Sequence, residues 1–202
     1  MTHIDNLPII LKDGMYAPNV KMYPEYINIG DVSLIEQRGV FYVPVPPGGV
    51  LADYVPFYFG GHSPMLLNIK TGHRGVQRRE QRDIVFLCTH IDIVTKACSE
   101  FCFTDGHAKD RMTAFFNNLV DLDKVDWTVV EEQYWYSAED KPDRMRRKQA
   151  EFLVKTHVPI SCLSGIIVLD EAAKQKVEQA MDEAGINLPI FVDTKRKYYY
   201  ND

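Results

Sequence analysis

The spacing of apolar residues along this 202-residue chain changes from helical to strand-like and back, which predicts an α+β fold. Helical spacing between capping residues and glycines predicts short helices within residues 5–14 and 31–39. A third helix is expected to begin at Pro64 with Ser63 as its cap, because proline suits the first turn of a helix. A longer amphipathic helix is predicted between Asp170 and Gly185.

Runs of β-branched and aromatic residues predict the strands. The run at 83–90 is expected to be a buried central strand, whereas Pro56 indicates an edge position for the strand at 54–59. Residues 111–127 show helical spacing, and the polar, aromatic segment 128–148 is predicted to be a long loop or short helix. Because no linker, repeat or low-complexity stretch divides the chain, residues 1–202 are predicted to form one domain. The remaining strands are predicted at 101–107, 151–156, 165–169, 188–193 and 197–200.

Composition excludes several classes of protein. Apolar residues make up 46% and charged residues 25%, as in an ordinary globular protein, and no apolar run approaches the ~20 residues of a membrane helix. The first residues, "MTHIDNLP", lack the basic and apolar regions of a signal peptide, so we expect a cytosolic protein. The four cysteines lack the spacing of a metal site and are too few for a disulfide framework. We therefore predict buried free thiols and no metal site.

The net charge of −5 argues against a nucleic-acid-binding protein, but the distribution of the charge matters more than its sum. Acidic residues crowd positions 121–140, whereas basic residues form two local groups. An acidic protein with such groups can still bind a polyanion. The alternative is a solvated run of charges. The first group is Lys70, Arg74, Arg78, Arg79 and Arg82, and the second is Lys141, Arg144, Arg146, Arg147 and Lys148.

Four short stretches contain residues that a protein core does not favour. They are "THIDN" at 2–6, "YVPFYFGGHSPM" at 54–65, "FTDGHA" at 103–108 and "QAE" at 149–151. The helix start in the second stretch would suit a phosphate or a carboxamide. Taken singly, each of the first three is better explained by a structural histidine or a capping aspartate. Glu151, at the head of an apolar run, is either a solvated edge carboxylate or a catalytic acid in a cleft.

Taken together, the order and spacing of these stretches resemble the DarT family, bacterial toxins that transfer ADP-ribose from NAD to a base in single-stranded DNA. The resemblance extends from residue 3 to about residue 155, and the run "YVPFYF" followed by "SPM" is its most specific part. The C-terminal third is similar but less diagnostic. The matching pieces are "HIDNLP", "NIGDVSLIEQR", "VPVPPGG", "DYVPFYFGGHSPML", "FTDGHA" and "QAEFLV".

The resemblance implies an ADP-ribosyltransferase-like fold, with two packed β-sheets, a central cleft for NAD and peripheral helices. "QAE" fits the Gln-x-Glu pattern of those enzymes, and on a strand Gln149 and Glu151 would face the same side. Glu151 would hold the nicotinamide ribose and stabilise positive charge as the glycosidic bond breaks. Arg38 matches a position that serves catalysis in the family. No G-x-G-x-x-G motif indicates a Rossmann site instead. The residues that the resemblance assigns to NAD are His3, Asp5, Asn6, Tyr58 and Ser63.

The resemblance assigns the acceptor strand to the segment before Glu151. Aromatic side chains there would stack on bases while arginines contact phosphates. His107 matches the family's "FTDGHA" histidine, and Gln149 would orient the incoming base. The residues implied to contact DNA are His107, Tyr134, Trp135, Arg144, Arg146, Arg147 and Gln149.

The function that follows is that of a toxin which ADP-ribosylates a base, with thymine favoured, in single-stranded DNA. A DarG-type macrodomain antitoxin is the expected partner, and no membrane is expected to be involved. Two alternatives stay open: a transferase acting on guanine or on a protein, and a catalytically inactive nucleic-acid-binding module. The presence of both Glu151 and Arg38 argues against the inactive module.

Overall fold

The computed structural model describes residues 1–201, so Asp202, the last position of the predicted domain 1–202, lies outside the described residues. Its strands form two four-stranded sheets and a two-stranded ribbon. The first sheet has the order β1-β4-β9-β10 and contains β1 (Thr2–His3), β4 (Ile84–Cys88), β9 (Gly165–Val168) and β10 (Ile190–Val192). The second sheet has the order β3-β7-β5-β6 and contains β3 (Tyr54–Tyr58), β7 (Glu151–Lys155), β5 (Phe101–Thr104) and β6 (Phe115–Phe116). The ribbon pairs β2 (Met15–Tyr16) with β8 (His157–Val158).

In residues 1–201, seven α-helices surround the sheets. Four of them begin at a side-chain cap: the caps at Asp31, Ser63 and Asp170 agree with the sequence pattern, and the cap at Asp126 was not predicted. The helices are α1 (Leu7–Asp13), α2 (Val32–Arg38), α3 (Pro64–Thr71), α4 (Ile91–Ala97), α5 (Trp127–Glu131), α6 (Arg144–Lys148) and α7 (Glu171–Ala184).

The core is divided between the two sheets. The first sheet packs α1 and α7 against one face, where Leu7, Ile166 and Val177 are fully buried. On the second sheet, Phe103, Phe152 and the residues packed on them fill one face, and a smaller cluster around Leu153 fills the other. Alternation along β7 therefore sends neighbouring residues into two different clusters. These features confirm the predicted α+β class.

The strand predictions hold where a run is long and apolar. The strand at 84–88 is an inner strand of the first sheet, and β3, which contains Pro56, lies at the edge of the second. The predicted strand at 197–200 is wrong. The carboxylate of Asp193 accepts the backbone N–H groups of Lys197, Tyr198 and Tyr199, which folds this segment into a turn.

The predicted helix at 111–127 is also wrong. Residues 115–116 form β6, and the ring of Phe116 stacks on Phe103 of the neighbouring strand at 5.4 Å. Asn118 then caps a 3-10 helix over Leu119–Lys124, in which no residue is buried. Sheet pairing of two aromatic residues overrides the helical spacing of the apolar positions. The sequence analysis also missed α4 and the two-residue strands β1, β2, β6 and β8.

Candidate active site

Glu151 occupies the first position of β7, and only 2% of its surface is exposed. β7 lies inside the second sheet between β3 and β5, and Glu151 is directly opposite Tyr58 on β3. Because side chains alternate along a strand, the carboxylate is on the face of Leu153 and away from Phe152. Glu151 is therefore a buried group on an inner strand, which excludes the solvated edge carboxylate.

Two donors fix the carboxylate of Glu151. Arg38 Nη1 donates to Oε2 at 2.9 Å, and the backbone N–H of Ala108 donates to Oε1 at 3.0 Å. The backbone N–H of Glu151 itself donates to Thr104 Oγ1 at 3.0 Å. Charge-assisted bonds to both oxygens offset the cost of burying the charge and hold the group in one orientation.

Arg38, which contacts this carboxylate, is the last residue of α2. Asp31 caps that helix by accepting the N–H groups of Ser33 and Leu34, and the hydrogen bond from Ser33 lowers the pKa of the Asp31 carboxyl. Among residues 1–201, Arg38 Nη2 is buried without a hydrogen-bond partner. A buried donor without a partner is costly, so Nη2 marks a place where an acceptor on a substrate could bind.

The connector that follows Arg38 is tied to the second sheet. Tyr54 donates its hydroxyl to the carbonyl of Gly48 at 2.6 Å, and Lys155 Nζ donates to the carbonyl of Pro47 at 3.0 Å. Both anchoring residues lie on strands that flank or carry Glu151. Arg38 and Glu151 are thus connected by the anchored connector as well as by their ion pair.

Two aromatic side chains beside the carboxylate are held neutral. Burial is the main cause that lowers the pKa of His107, and the charge of Glu151 opposes it only in part. His107 Nδ1 accepts the N–H of Lys109 at 3.3 Å, which leaves the proton of the neutral imidazole on Nε2. Burial, with a contribution from Glu151, raises the pKa of the Tyr58 phenol. Both groups can therefore donate a hydrogen bond without carrying charge.

The residues predicted for NAD lie around β1 and the start of α3. His3 is 7% exposed, burial lowers its pKa, and its Nδ1 accepts the N–H of Asp5. Asn6 is fully buried. Its side chain donates to the carbonyl of Ile27 and accepts the N–H of the same residue, which fixes the loop around Ile27. Ser63 Oγ caps α3 by accepting the N–H of Leu66. Its hydroxyl proton is left for a further partner.

The aromatic residues of the 134–148 segment divide into buried and exposed ones. Trp135 is 4% exposed, and its Nε1 donates to the hydroxyl of Tyr200 at 2.7 Å. That hydroxyl in turn donates to the carbonyl of His62 at 2.7 Å. Tyr134 and Tyr136 are 73% and 61% exposed. The two tyrosines, and not the tryptophan, are accessible to a base.

The arginines of the same segment already have acidic partners. Arg144 is paired with Glu132, and Arg147 with Asp126 and Asp143. Arg146 is paired with Asp105 and Asp143, with 10% of its side chain exposed. The structure does not bring these guanidinium groups together as one open cationic surface.

The position of Gln149 corrects one step of the sequence argument. Gln149 ends α6 with φ −99° and ψ 25°, and its Nε2 donates to the carbonyl of Met145 at 3.1 Å. The strand begins only at Glu151, so alternation along a strand does not relate the two side chains. The strand predicted at 151–156 begins at Glu151 as expected, but Gln149 is not part of it.

A cavity of about 740 Å³ lies between the two sheets, but it does not contain the catalytic candidates. Its walls include Phe57 and Phe152, on the face opposite to Glu151, together with Tyr58 and Trp127. The candidate site is the cleft beside the ion pair of Arg38 and Glu151, with Tyr58 opposite Glu151 on β3. Among residues 1–201, no group of three His, Cys, Asp or Glu side chains could hold a metal ion. Over the same residues, no helix has the length and apolar character that a membrane span requires.

Comparisons with known proteins found a family model, curated relatives and solved structures that are similar to this chain. A family model described as "ssDNA thymidine ADP-ribosyltransferase, DarT" matches residues 1–200. A DNA ADP-ribosyl transferase of Escherichia coli O127:H6 is 39% identical over 202 residues, covering all of this chain and 92% of the relative. The structure of Thermus sp. 2.9 DarT in complex with ADP-ribosylated ssDNA superposes with a TM-score of 0.89 at 33% identity, covering 98% of this chain and 93% of the other. The same protein in complex with NAD+ gives a TM-score of 0.83 at 32% identity, covering 98% and 94%.

Thr104 is a residue of this site whose role the sequence did not reveal. Its buried hydroxyl accepts the N–H of Glu151 and donates to the carbonyl of Gly106 at 2.6 Å. We predict that Thr104→Val lowers the free energy of unfolding by about 2–4 kcal/mol, because it leaves two buried backbone groups unpaired. Thr104→Ser keeps the hydroxyl and should lose less than half of that. Urea denaturation of the three proteins measures the difference, and equal stability of the valine and serine variants would contradict it.

Proposed function

Because the chain belongs to the DarT family of single-stranded DNA ADP-ribosyltransferases, we propose that it transfers ADP-ribose from NAD to thymine in single-stranded DNA and releases nicotinamide. The observation that carries the proposal is the buried pair of Arg38 and Glu151, with one guanidinium nitrogen left unpartnered beside the carboxylate. A fixed anion and a donor without a partner are the two electrostatic elements that a glycosyl transfer needs.

The reaction places opposite charges on its two reactants. As the glycosidic bond of NAD breaks, nicotinamide leaves with the bonding electrons and the ribose becomes cation-like. Glu151 is the group that stabilises this positive charge. A ring N–H of the base gives its proton to solvent as the nitrogen attacks the anomeric carbon, so negative charge develops on the base before the new C–N bond is complete. Arg38 is charged at any ordinary pH, and its role is therefore to stabilise that developing anion.

We assign NAD to the side of the cleft formed by His3, Asp5, Asn6, Tyr58 and Ser63. His3 and Ser63, both buried, supply donors or acceptors for the ribose and amide. Asn6 acts indirectly by fixing the loop around Ile27. Tyr58 stacks on nicotinamide, and its neutral phenol adds no charge next to Glu151.

The acceptor strand is assigned to the opposite side, with His107 and Gln149 near the base and the 134–148 segment along the strand. The exposed rings of Tyr134 and Tyr136 support base stacking, which is tolerant of sequence. Trp135 supports the segment from beneath. Arg144 and Arg147 could contact phosphates by exchanging partners with Glu132, Asp126 and Asp143.

We further propose that the protein is a toxin whose modification is removed, or whose site is blocked, by a DarG-type macrodomain partner. The support is the family to which the chain belongs. The reaction needs NAD and DNA in one compartment, so the cytoplasm is the expected place of action.

Mass spectrometry of short oligonucleotides after incubation with NAD tests the proposal. An oligonucleotide with a single thymine should gain one ADP-ribosyl group, and matched oligonucleotides in which cytosine or adenine replaces that thymine should not. The duplex form should be modified more slowly. Modification of guanine, or of added protein, would show that the acceptor differs. Absence of product with every acceptor would indicate the inactive binding module.

Replacement of Glu151 separates catalysis from cofactor binding. Glu151→Gln keeps the shape of the side chain and removes the charge that stabilises the cation-like ribose. We predict a loss of transfer of about 100-fold or more, with NAD affinity unchanged within a few-fold. Glu100→Gln is the matched control, since that glutamate is 60% exposed and makes only a 3.9 Å contact with Lys155. Retention of a tenth of the wild-type rate by Glu151→Gln would overturn the assignment.

Replacement of Arg38 separates catalysis from binding of the acceptor. Arg38→Gln keeps a donor near Glu151, and we predict that base modification falls by about 100-fold or more while the affinities for NAD and oligonucleotide stay near wild type. Fluorescence anisotropy and calorimetry measure the two affinities. If DNA affinity falls in proportion to activity, Arg38 is instead a phosphate-binding residue.

A further inference from the structure

Arg146 is held by five contacts that all lead to the turn at residues 104–114 or to its own helix. Its Nε and Nη2 form a two-pronged ion pair with Asp143 at 2.7 and 2.8 Å, and its Nη1 donates to Asp105 at 2.8 Å and to Thr113 at 3.0 Å. Its backbone carbonyl accepts the N–H of His107 at 2.9 Å. All donors on the planar guanidinium that can face the turn are engaged.

The 104–114 turn is built to receive this side chain. A Cβ at Gly106 would lie 2.9 Å from Cγ and 3.0 Å from Cζ of Arg146, so only glycine leaves room for the guanidinium to lie against the backbone. Asp105 also accepts the N–H of Ala114, and Thr113 donates to the carbonyl of His107 at 2.8 Å. Arg146 therefore joins the two ends of the turn.

The same turn presents the groups that face Glu151. Ala108 donates its backbone N–H to Glu151 Oε1, and His107, the residue before it, is bonded to the Arg146 carbonyl. Thr104, at the other end, accepts the N–H of Glu151. Movement of the turn would thus change the orientation of the carboxylate directly.

The charges around Arg146 do not suit a phosphate. Two carboxylates, Asp105 and Asp143, already bind the guanidinium, and the hydrogen bond from Arg146 lowers the pKa of Asp143 to about 2. A phosphate would have to displace one carboxylate and then lie beside it, with like charges a few ångströms apart. The surroundings of Arg146 favour a partner within the protein.

We propose that Arg146 is a positioning residue for the transfer reaction, which clamps the 104–114 turn so that the Ala108 N–H holds Glu151 in its reactive orientation. The inference rests on the proposed function for its effect on rate. It replaces, for this one residue, the contact with DNA that the sequence resemblance implied.

The first test compares kcat with the affinity for DNA. Arg146→Ala should lower kcat by about 10- to 100-fold, because a displaced catalytic group is costly to the rate. The KM for oligonucleotide and the salt dependence of binding should change less than 3-fold. Arg146→Lys should also be slow, since an ammonium cannot bridge both aspartates in two-pronged geometry. Lys124→Ala, which breaks an exposed ion pair with Asp123, is the control and should keep the wild-type rate.

A phosphate contact gives the opposite pattern. It would weaken DNA binding in Arg146→Ala, reduce the slope of log affinity against log salt by about 1, and let lysine restore both. Asp105→Ala sharpens the distinction, because the two roles predict opposite signs. The positioning role predicts a slower enzyme, whereas a phosphate contact predicts tighter DNA binding with the rate maintained. Either phosphate pattern would overturn the proposal.

Amide hydrogen exchange tests the clamp without relying on activity. The Ala108 amide should exchange at least 10-fold faster in Arg146→Ala than in wild type, while the amide of Leu153, in the core of β7, keeps its protection. Equal acceleration at both positions would show only general destabilisation, and an unchanged Ala108 amide would refute the clamp. If the wild-type protein modifies no oligonucleotide, the proposed function fails, and this measurement still decides the role of Arg146.

Discussion

The cost of burying the charge of Glu151 is the constraint on which the rest of the site depends. An ionised carboxylate in the protein interior is stable only if it is paired and hydrogen-bonded, and its partner here, Arg38, is 113 positions away along the chain. Pairing across that distance requires a fixed helix end at Arg38, a connector tied to the second sheet by Tyr54 and Lys155, and a turn that delivers the Ala108 N–H. Much of the structure around the cleft thus serves to keep one anion inside it.

The sequence predicted the elements whose signals are local. The caps at Asp31, Ser63 and Asp170, and the edge strand marked by Pro56, depend on neighbouring residues only. The helix at 111–127 failed because pairing with a distant strand decides the conformation of Phe115 and Phe116. The two-residue strands are too short to have a pattern. Glu151 and Arg38 were found through resemblance to a family, since no spacing rule relates positions so far apart.

Two features of the site could not be read from residue types. Ala108 contributes a backbone N–H, and a backbone donor leaves no signal in the side-chain sequence. The arginines at 144–147 looked like an open cationic surface because their partners Asp105, Asp126 and Glu132 lie elsewhere along the chain. The acidic residues at 121–140 thus neutralise the basic segment in space as well as in the sum of charges. The rings of Tyr134 and Tyr136 remain accessible there.

The Tyr200 hydroxyl joins two parts of the cleft at a single atom. It accepts from Trp135 in the acceptor segment and donates to the His62 carbonyl in the turn before α3, where the cofactor side begins. Tyr199, next to it, donates to the carbonyl of Ile84 in the first sheet. The segment containing Tyr199 and Tyr200 therefore connects the side of the cleft assigned to DNA with the side assigned to NAD. A proteolytic cut after Lys197 would release the acceptor segment and the cofactor turn together, while leaving every residue assigned to substrate in the chain.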